Sequence, residues 1–286
     1  MMNENKLLAV MGSGGAGKTT TSIKLAVELS RKKSNVVVVF CDPFTPVPPF
    51  VLPAGAICGV SLGELLTSAS LTQENILTAC IPVESSEYIS VLGYKAGESL
   101  MTYPKITREK AVDFFVMLRH LADFVIVDCA GVFEADAASI VAIEVADMVL
   151  RLGTANLNGI SYYQTHEPLL ADSRFKSAAH LKALSNVKSG QEWEAVAQQY
   201  RGVQYVLPHS PELERQYDEV ALFKSLNKKE SLPYIAEIKK MTASIFGVSC
   251  EPVKVVEASS KKAPDKEKKK HSLSLKLLFG RHKGEF

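Results

Sequence analysis

The chain has 286 residues, 47% of them hydrophobic and 22% charged, with a net charge of +2. That balance belongs to a folded globular core and excludes a mainly disordered chain, while apolar runs of only about six residues fall far short of the ~20 that a membrane-spanning helix needs. Residues 251–286 hold ten Lys and Arg against five Asp and Glu, a net +5, which leaves −3 on the first 250 residues and disfavours a strongly basic, DNA-binding body, with a local basic patch left open.

The start, MMNENKLLAVMGSGG, lacks a basic n-region and runs straight into a glycine loop, so no signal peptide is expected. An apolar run from Lys6 to Met11 predicts a strand, and Ile23, Ala26, Val27 and Leu29 recur at helical spacing within Lys18–Arg31. Val36–Cys41 is β-branched, as in a strand buried on both faces. Five prolines in PFTPVPPFVLP, Pro43–Pro53, predict an extended loop next. Further strands are expected at Tyr88–Leu92, Phe124–Val127, Met148–Leu152 and Val203–Leu207, and helices at Arg108–Ala122, Asp136–Ala146 and Leu232–Phe246, the last closed by Gly247. Strands alternating with helices predict an α/β fold, a doubly wound and mainly parallel sheet covered on both faces. The expected organisation is a domain over 1–250, a disordered Lys-rich linker over 251–271, and a short apolar and basic tail segment over 272–286.

Five scattered cysteines without C-x-x-C spacing argue against disulfides or zinc, and for buried reduced thiols in a cytoplasmic protein. Trp193, Val196 and Tyr200 stand at helical spacing as core residues, and His120, His166, His180 and His209 show no metal spacing.

Gly12-Ser13-Gly14-Gly15-Ala16-Gly17-Lys18-Thr19 matches G-x-x-x-x-G-K-[ST] between an expected strand and an expected helix. The glycines let backbone N–H groups turn inward around a β-phosphate. Lys18 brings a charge to the β- and γ-phosphates, the Thr19 hydroxyl is a ligand for Mg²⁺, and the helix adds the positive end of its dipole. A nucleotide hydrolase also needs carboxylates at the C-terminal ends of neighbouring strands. Asp128 ends FVIVDCAG as a metal-associated acid. Asp42 ends VVVVFCDP, placed to orient water or the metal shell, and with Lys18 forms the candidate catalytic pair.

GSGGAGKTTTS, VVVVFCDP, GVSLGELL, FVIVDCAG and VLPHSPELERQYDEVALF together resemble the MinD/ParA group of P-loop ATPases over about residues 6–247. The compact form with its basic tail looks most like the CpaE/TadZ-like pilus-assembly branch or MinD. The resemblance implies a P-loop NTPase sheet, Mg-ATP binding, slow hydrolysis and an ATP-dependent homodimer that releases a partner or surface. By position it places Gly14, Gly15, Ala16, Gly17, Lys18, Thr19 and Thr20 in the phosphate cradle. Asn186 falls at the residue that reads the adenine edge and Pro208 in a loop packed on the base, although a plain loop around both stays open.

Two residues depart from the family pattern. The signature lysine that reaches across the dimer is Ser13 here, and the first acid of the D-x-D is Phe40. Loss of a cation at the γ-phosphate can cost orders of magnitude in rate, so an ATP-binding scaffold with little hydrolysis is the rival reading, beside a DNA-partitioning ATPase. The absence of N-K-x-D favours ATP over GTP. Segment 272–286, with Leu273, Leu275, Leu277, Leu278 and Phe279 among basic residues, is open to peripheral membrane contact, partner docking or no role, because its helical spacing is not clean.

Overall fold

A computed structural model describes residues 6–53, 55–56 and 59–250; the expected linker and tail, 251–286, lie outside the described residues. The chain order is β1 (Leu7–Gly12), α1 (Lys18–Ser30), β2 (Val36–Phe40), α2 (Pro48–Val51), α3 (Leu62–Thr67), α4 (Gln73–Ala79), β3 (Ile81–Val83), β4 (Ser86–Gly93), α5 (Arg108–Leu121), β5 (Phe124–Asp128), α6 (Ala137–Val145), β6 (Met148–Thr154), α7 (Leu157–Leu170), β7 (His180–Val187), α8 (Glu194–Tyr200), β8 (Tyr205–Pro208), α9 (Pro211–Asp218) and α10 (Leu232–Phe246). The eight strands form one sheet in the order β3-β4-β2-β5-β1-β6-β7-β8. All neighbours pair in parallel except β3, which is antiparallel to β4.

β1 lies between β5 and β6, and its alternating side chains feed two cores. Leu8 and Val10 join α1 and α10 on one face, where Ile23, Tyr234, Ile238 and Met241 are buried. Leu7, Ala9 and Met11 join α3 to α6 on the other, with Phe114, Phe115 and Val141. A continuous apolar strand is what a parallel sheet covered on both faces requires. Tyr200 fills a third cluster with Tyr163 and Leu184, and Trp193 and Val196 pack against it as expected.

Three expectations need correction. The proline-rich stretch is not wholly extended: Pro48 and Pro49 open the short helix α2, where the fixed φ of proline is tolerated and its missing N–H has no intrahelical partner to lose. Asn186 is not in a plain loop but inside β7. Of the cysteines, Cys41 and Cys129 are buried, Cys80 and Cys250 are only partly so, and Cys58 lies outside the described residues. Among the described residues no helix is long and apolar enough to cross a membrane.

Candidate nucleotide site

The parallel sheet brings the C-terminal ends of β1, β2, β5, β7 and β8 to one edge, where ligands of open α/β sheets bind. A cavity of about 780 Å³ lies there, lined by Gly14, Gly15 and residues 17–21 of the phosphate loop and α1, by Asp42, by Asn186 and Pro208, and by α9.

After β1 the loop turns at Gly15 (φ 74°) and Gly17 (φ 78°), left-handed positions that glycine takes without strain. Gly17 caps α1 without a side-chain bond, so amide N–H groups of the first turn remain for an anion. Ala16 N–H donates to Ser13 O at 3.2 Å, and Ser185 Oγ of β7, two strands from β1, donates to Ala16 O at 2.5 Å and pins the loop. Lys18 Nζ donates to Ser13 O at 3.2 Å.

Thr19 Oγ1 donates to Asp128 Oδ2 at 2.5 Å. The other carboxylate oxygen, Asp128 Oδ1, is buried without a hydrogen-bond partner. Burial pushes the Asp128 carboxyl up to about 6, against the pull of the Lys18 cation and the Thr19 hydroxyl, with the Asp42 charge adding to the rise. An orphaned buried carboxylate oxygen is costly unless something satisfies it. A hydroxyl and a carboxylate together are also the hard oxygen donors that Mg²⁺ takes beside phosphate, so Thr19 and Asp128 fit that ion.

Asp42 lines the cavity, but its Oδ1 already accepts from Phe44 N–H at 2.9 Å and Thr45 N–H at 3.1 Å. It builds the turn that leaves β2 as well as facing the site. Across the cavity, Asn186 adopts φ 54° at an irregularity in the β7–β8 pairing. Its Oδ1 accepts from His209 Nδ1 at 2.8 Å. Glu214 Oε1 stands 3.6 Å from the same nitrogen. An amide oxygen only accepts, so this bond uses an Nδ1–H of His209.

The profile of the CobQ/CobB/MinD/ParA nucleotide-binding domain matches residues 7–245. The chain belongs to this family. Its fold is similar to MinD from Pyrococcus horikoshii complexed with Mg-ADP, at 19% identity over 82% of this chain and 95% of that one, TM-score 0.64. It is similar to a ParA family ATPase from Chlorobium tepidum, at 16% identity over 83% and 98%, TM-score 0.67. A chain of the MinC:MinD complex from Aquifex aeolicus matches at 15% identity over 87% and 98%, TM-score 0.65. No curated protein sequence matches the chain significantly.

Within this MinD/ParA-type fold the sequence-predicted positions converge: Gly14, Gly15, Gly17, Lys18, Thr19, Thr20, Asp42, Asn186 and Pro208 all line one cavity. Ala16 is buried beneath the loop, and Asp128 is buried behind Thr19. The two departures stand where the sequence put them. Ser13 is neutral, and Phe40 is core, 1% exposed. Sequence reasoning missed Ser185 and His209, because β7 carries His180, Lys182 and Asn186 and does not read as a strand. It also missed Gly131, where an added Cβ would lie 3.4 Å from Gly14 N and 3.8 Å from Lys18 Nζ. The D-x-x-G spacing from Asp128 to Gly131 was its available signal.

Proposed function

We propose that the protein binds Mg-ATP in this cavity, hydrolyses it slowly, and uses the nucleotide state to switch self-association and attachment as a positioning or assembly factor. The observation that carries this reading is the Lys18–Thr19–Asp128 arrangement, with one buried Asp128 oxygen unpartnered, facing a cavity that extends to Asn186 and Pro208. Thr19 and, through water, Asp128 would hold Mg²⁺, which supplies neutralisation of phosphate charge. Lys18 binds the β- and γ-phosphates, first giving up the carbonyl of Ser13. Asp42, at the end of the adjacent strand, orients the attacking water. The P. horikoshii relative was solved with Mg-ADP, which supports the same ligand class here. Self-association is a homodimer in this reading, and segment 272–286, leucine-bearing and basic, is the part suited to an anionic surface.

Steady-state ATP hydrolysis with and without anionic liposomes, beside Lys18→Ala, tests this. Turnover above the control, raised by liposomes and lost on deleting 272–286, is the expected result; turnover equal to the control despite tight ATP binding leaves the scaffold reading. Ser13 and the buried Phe40 are what favour that rival, since both remove charge from the family's hydrolytic set.

Asp42 separates the two. Asp42→Asn keeps an oxygen for the Phe44 and Thr45 amides while removing the charge. For a hydrolase, turnover should fall about 100-fold, within the range for loss of a positioned base, with ATP affinity held within about threefold. A scaffold would show no change in its residual turnover.

A further inference from the structure

Lys24 lies on α1, six residues beyond Lys18, and is buried at 4% exposure. Its Nζ donates to Gln216 Oε1 at 2.5 Å, to Leu222 O at 2.6 Å and to Lys224 O at 2.8 Å. An ammonium has three N–H donors and no acceptor, so this set uses it completely. All three acceptors are neutral, and all belong to α9 or the turn that leaves it.

That turn needs holding. Val220 sits at φ 53°, a left-handed position that a β-branched residue takes only where surrounding bonds impose it. Val220 N–H donates to Tyr217 O at 3.2 Å and Ala221 N–H to Gln216 O at 2.7 Å, a helix-closing pattern in which glycine is the usual left-handed residue. Two of the Lys24 bonds, to Leu222 and Lys224, grip the chain just beyond this residue. On α9 itself, Glu212 and Gln216 form the buried side, while Leu213 and Tyr217 on the adjoining side line the cavity.

We propose that Lys24 is a positioning residue for nucleotide binding: its ammonium fixes α9 and the 219–224 turn against α1, setting the cavity wall at the distance the phosphate loop requires. This rests on the nucleotide reading given above. One helix thereby carries both the lysine that meets phosphate and the lysine that spaces the opposite wall.

The clamp also titrates. Burial drives Lys24 down to about 7 from 10.5, with Glu212 of α9 pulling it up and Arg31, just past the end of α1, pushing it further down. Of the other charged residues on the packed elements, Glu28 lies one turn along α1 and is buried, 4.0 Å from Lys239 of α10, while α9 and its turn also carry Glu214, Arg215, Asp218, Glu219 and Lys224. A neutral amine keeps two N–H donors and gains a lone pair, so one of the three acceptors loses its bond. The clamp is complete below about pH 7 and weakens above it. From there to 10.5 the unfolded chain holds the extra proton, so this group adds to global stability as pH rises. Nucleotide affinity and the contribution of Lys24 to stability should therefore move in opposite directions across that window.

The test is Mg-ADP titration calorimetry on the full chain, wild type beside Lys24→Met and Gln216→Glu, from about pH 6 to about pH 9. Amide hydrogen exchange of residues 212–224 is measured without nucleotide at one pH near 6.5, below the Lys24 transition. Wild-type affinity should fall roughly tenfold as pH rises through the transition. Gln216→Glu, which puts a carboxylate on the ammonium at the cost of the Gln216 Nε2 bond to Ser225 O, should move the fall upward by about one pH unit. Lys24→Met should bind about tenfold more weakly at low pH, lack the step, and exchange faster over 216–224. It also supplies the baseline for the ligand's own titration. Wild type tracking Lys24→Met at every pH, or equal exchange in the two, overturns the proposal. Should Lys24→Met not fold, an unmoved step in Gln216→Glu overturns it alone. No Mg-ADP binding by the wild type at any pH overturns the nucleotide reading and this proposal with it, and the exchange data, taken without nucleotide, tell that failure from one confined to Lys24.

Discussion

Lys18→Ala is expected to weaken Mg-ATP binding by about 100-fold or more while leaving the fold intact. Two charge-assisted bonds from Nζ to phosphate oxygens, at about 1.5 kcal/mol each, supply that factor. Within the protein the ammonium donates to the Ser13 carbonyl at 3.2 Å, and losing a bond that long at a loop should shift the melting temperature little. A second effect adds to the first. The Lys18 cation opposes the burial that raises Asp128, so its removal leaves that carboxyl more readily neutral and a poorer partner for a metal ion. Calorimetry with Mg-ATP beside a thermal melt checks both parts. Wild-type affinity with an unchanged melt would remove Lys18 from the site, and a collapsed melt would make it structural.

The largest stability effect is expected at the first glycine of the loop. A Cβ on Gly12 would lie 2.3 Å from the carbonyl oxygen of Leu152 in β6, and Gly12 and Leu152 are register partners in the middle of the sheet. The obstacle is backbone, not a side chain that can turn away. Gly12→Ala should therefore cost about 3 kcal/mol or more, a drop of roughly 6–12 °C in melting temperature for a domain of this size. Gly14→Ala is the internal control, because a Cβ there meets nothing within 4 Å. Equal melts for the two variants would show that β1 and β6 can part without cost.

Where the sequence spoke plainly, one physical cause dominated. Val36–Phe40 and Phe124–Val127 are apolar because both faces of the central sheet are covered, and they were legible as strands on that ground alone. β7 was not, because it lies one strand from the edge and its Lys182 reaches out to the Tyr200 carbonyl and towards Glu167. α7 was hidden by Pro168 in its last turn. The burial of Lys24 was not legible in the sequence. Ile23, Leu25, Ala26, Val27 and Leu29 leave one side of α1 to Thr21, Lys24 and Glu28, and such a polar side ordinarily faces solvent. Lys24 and Glu28 are nevertheless buried, and only the fold could show it, since Gln216, which Lys24 meets, is 192 residues away in sequence. The phosphate loop was readable because its spacing is local. Ser185 was not, because it reaches the loop from β7, across the sheet and 169 residues away in sequence.

The place of β1 between β5 and β6 bears on how the molecule answers force. Tension applied at the amino end acts along a strand bonded in parallel on both sides, and the ladder bonds run across that direction. They are loaded together in shear instead of opening one after another from an end. Pulled from this end, the chain should resist until both ladders fail at once, and the phosphate loop, which continues directly from β1, would lose its shape in the same event.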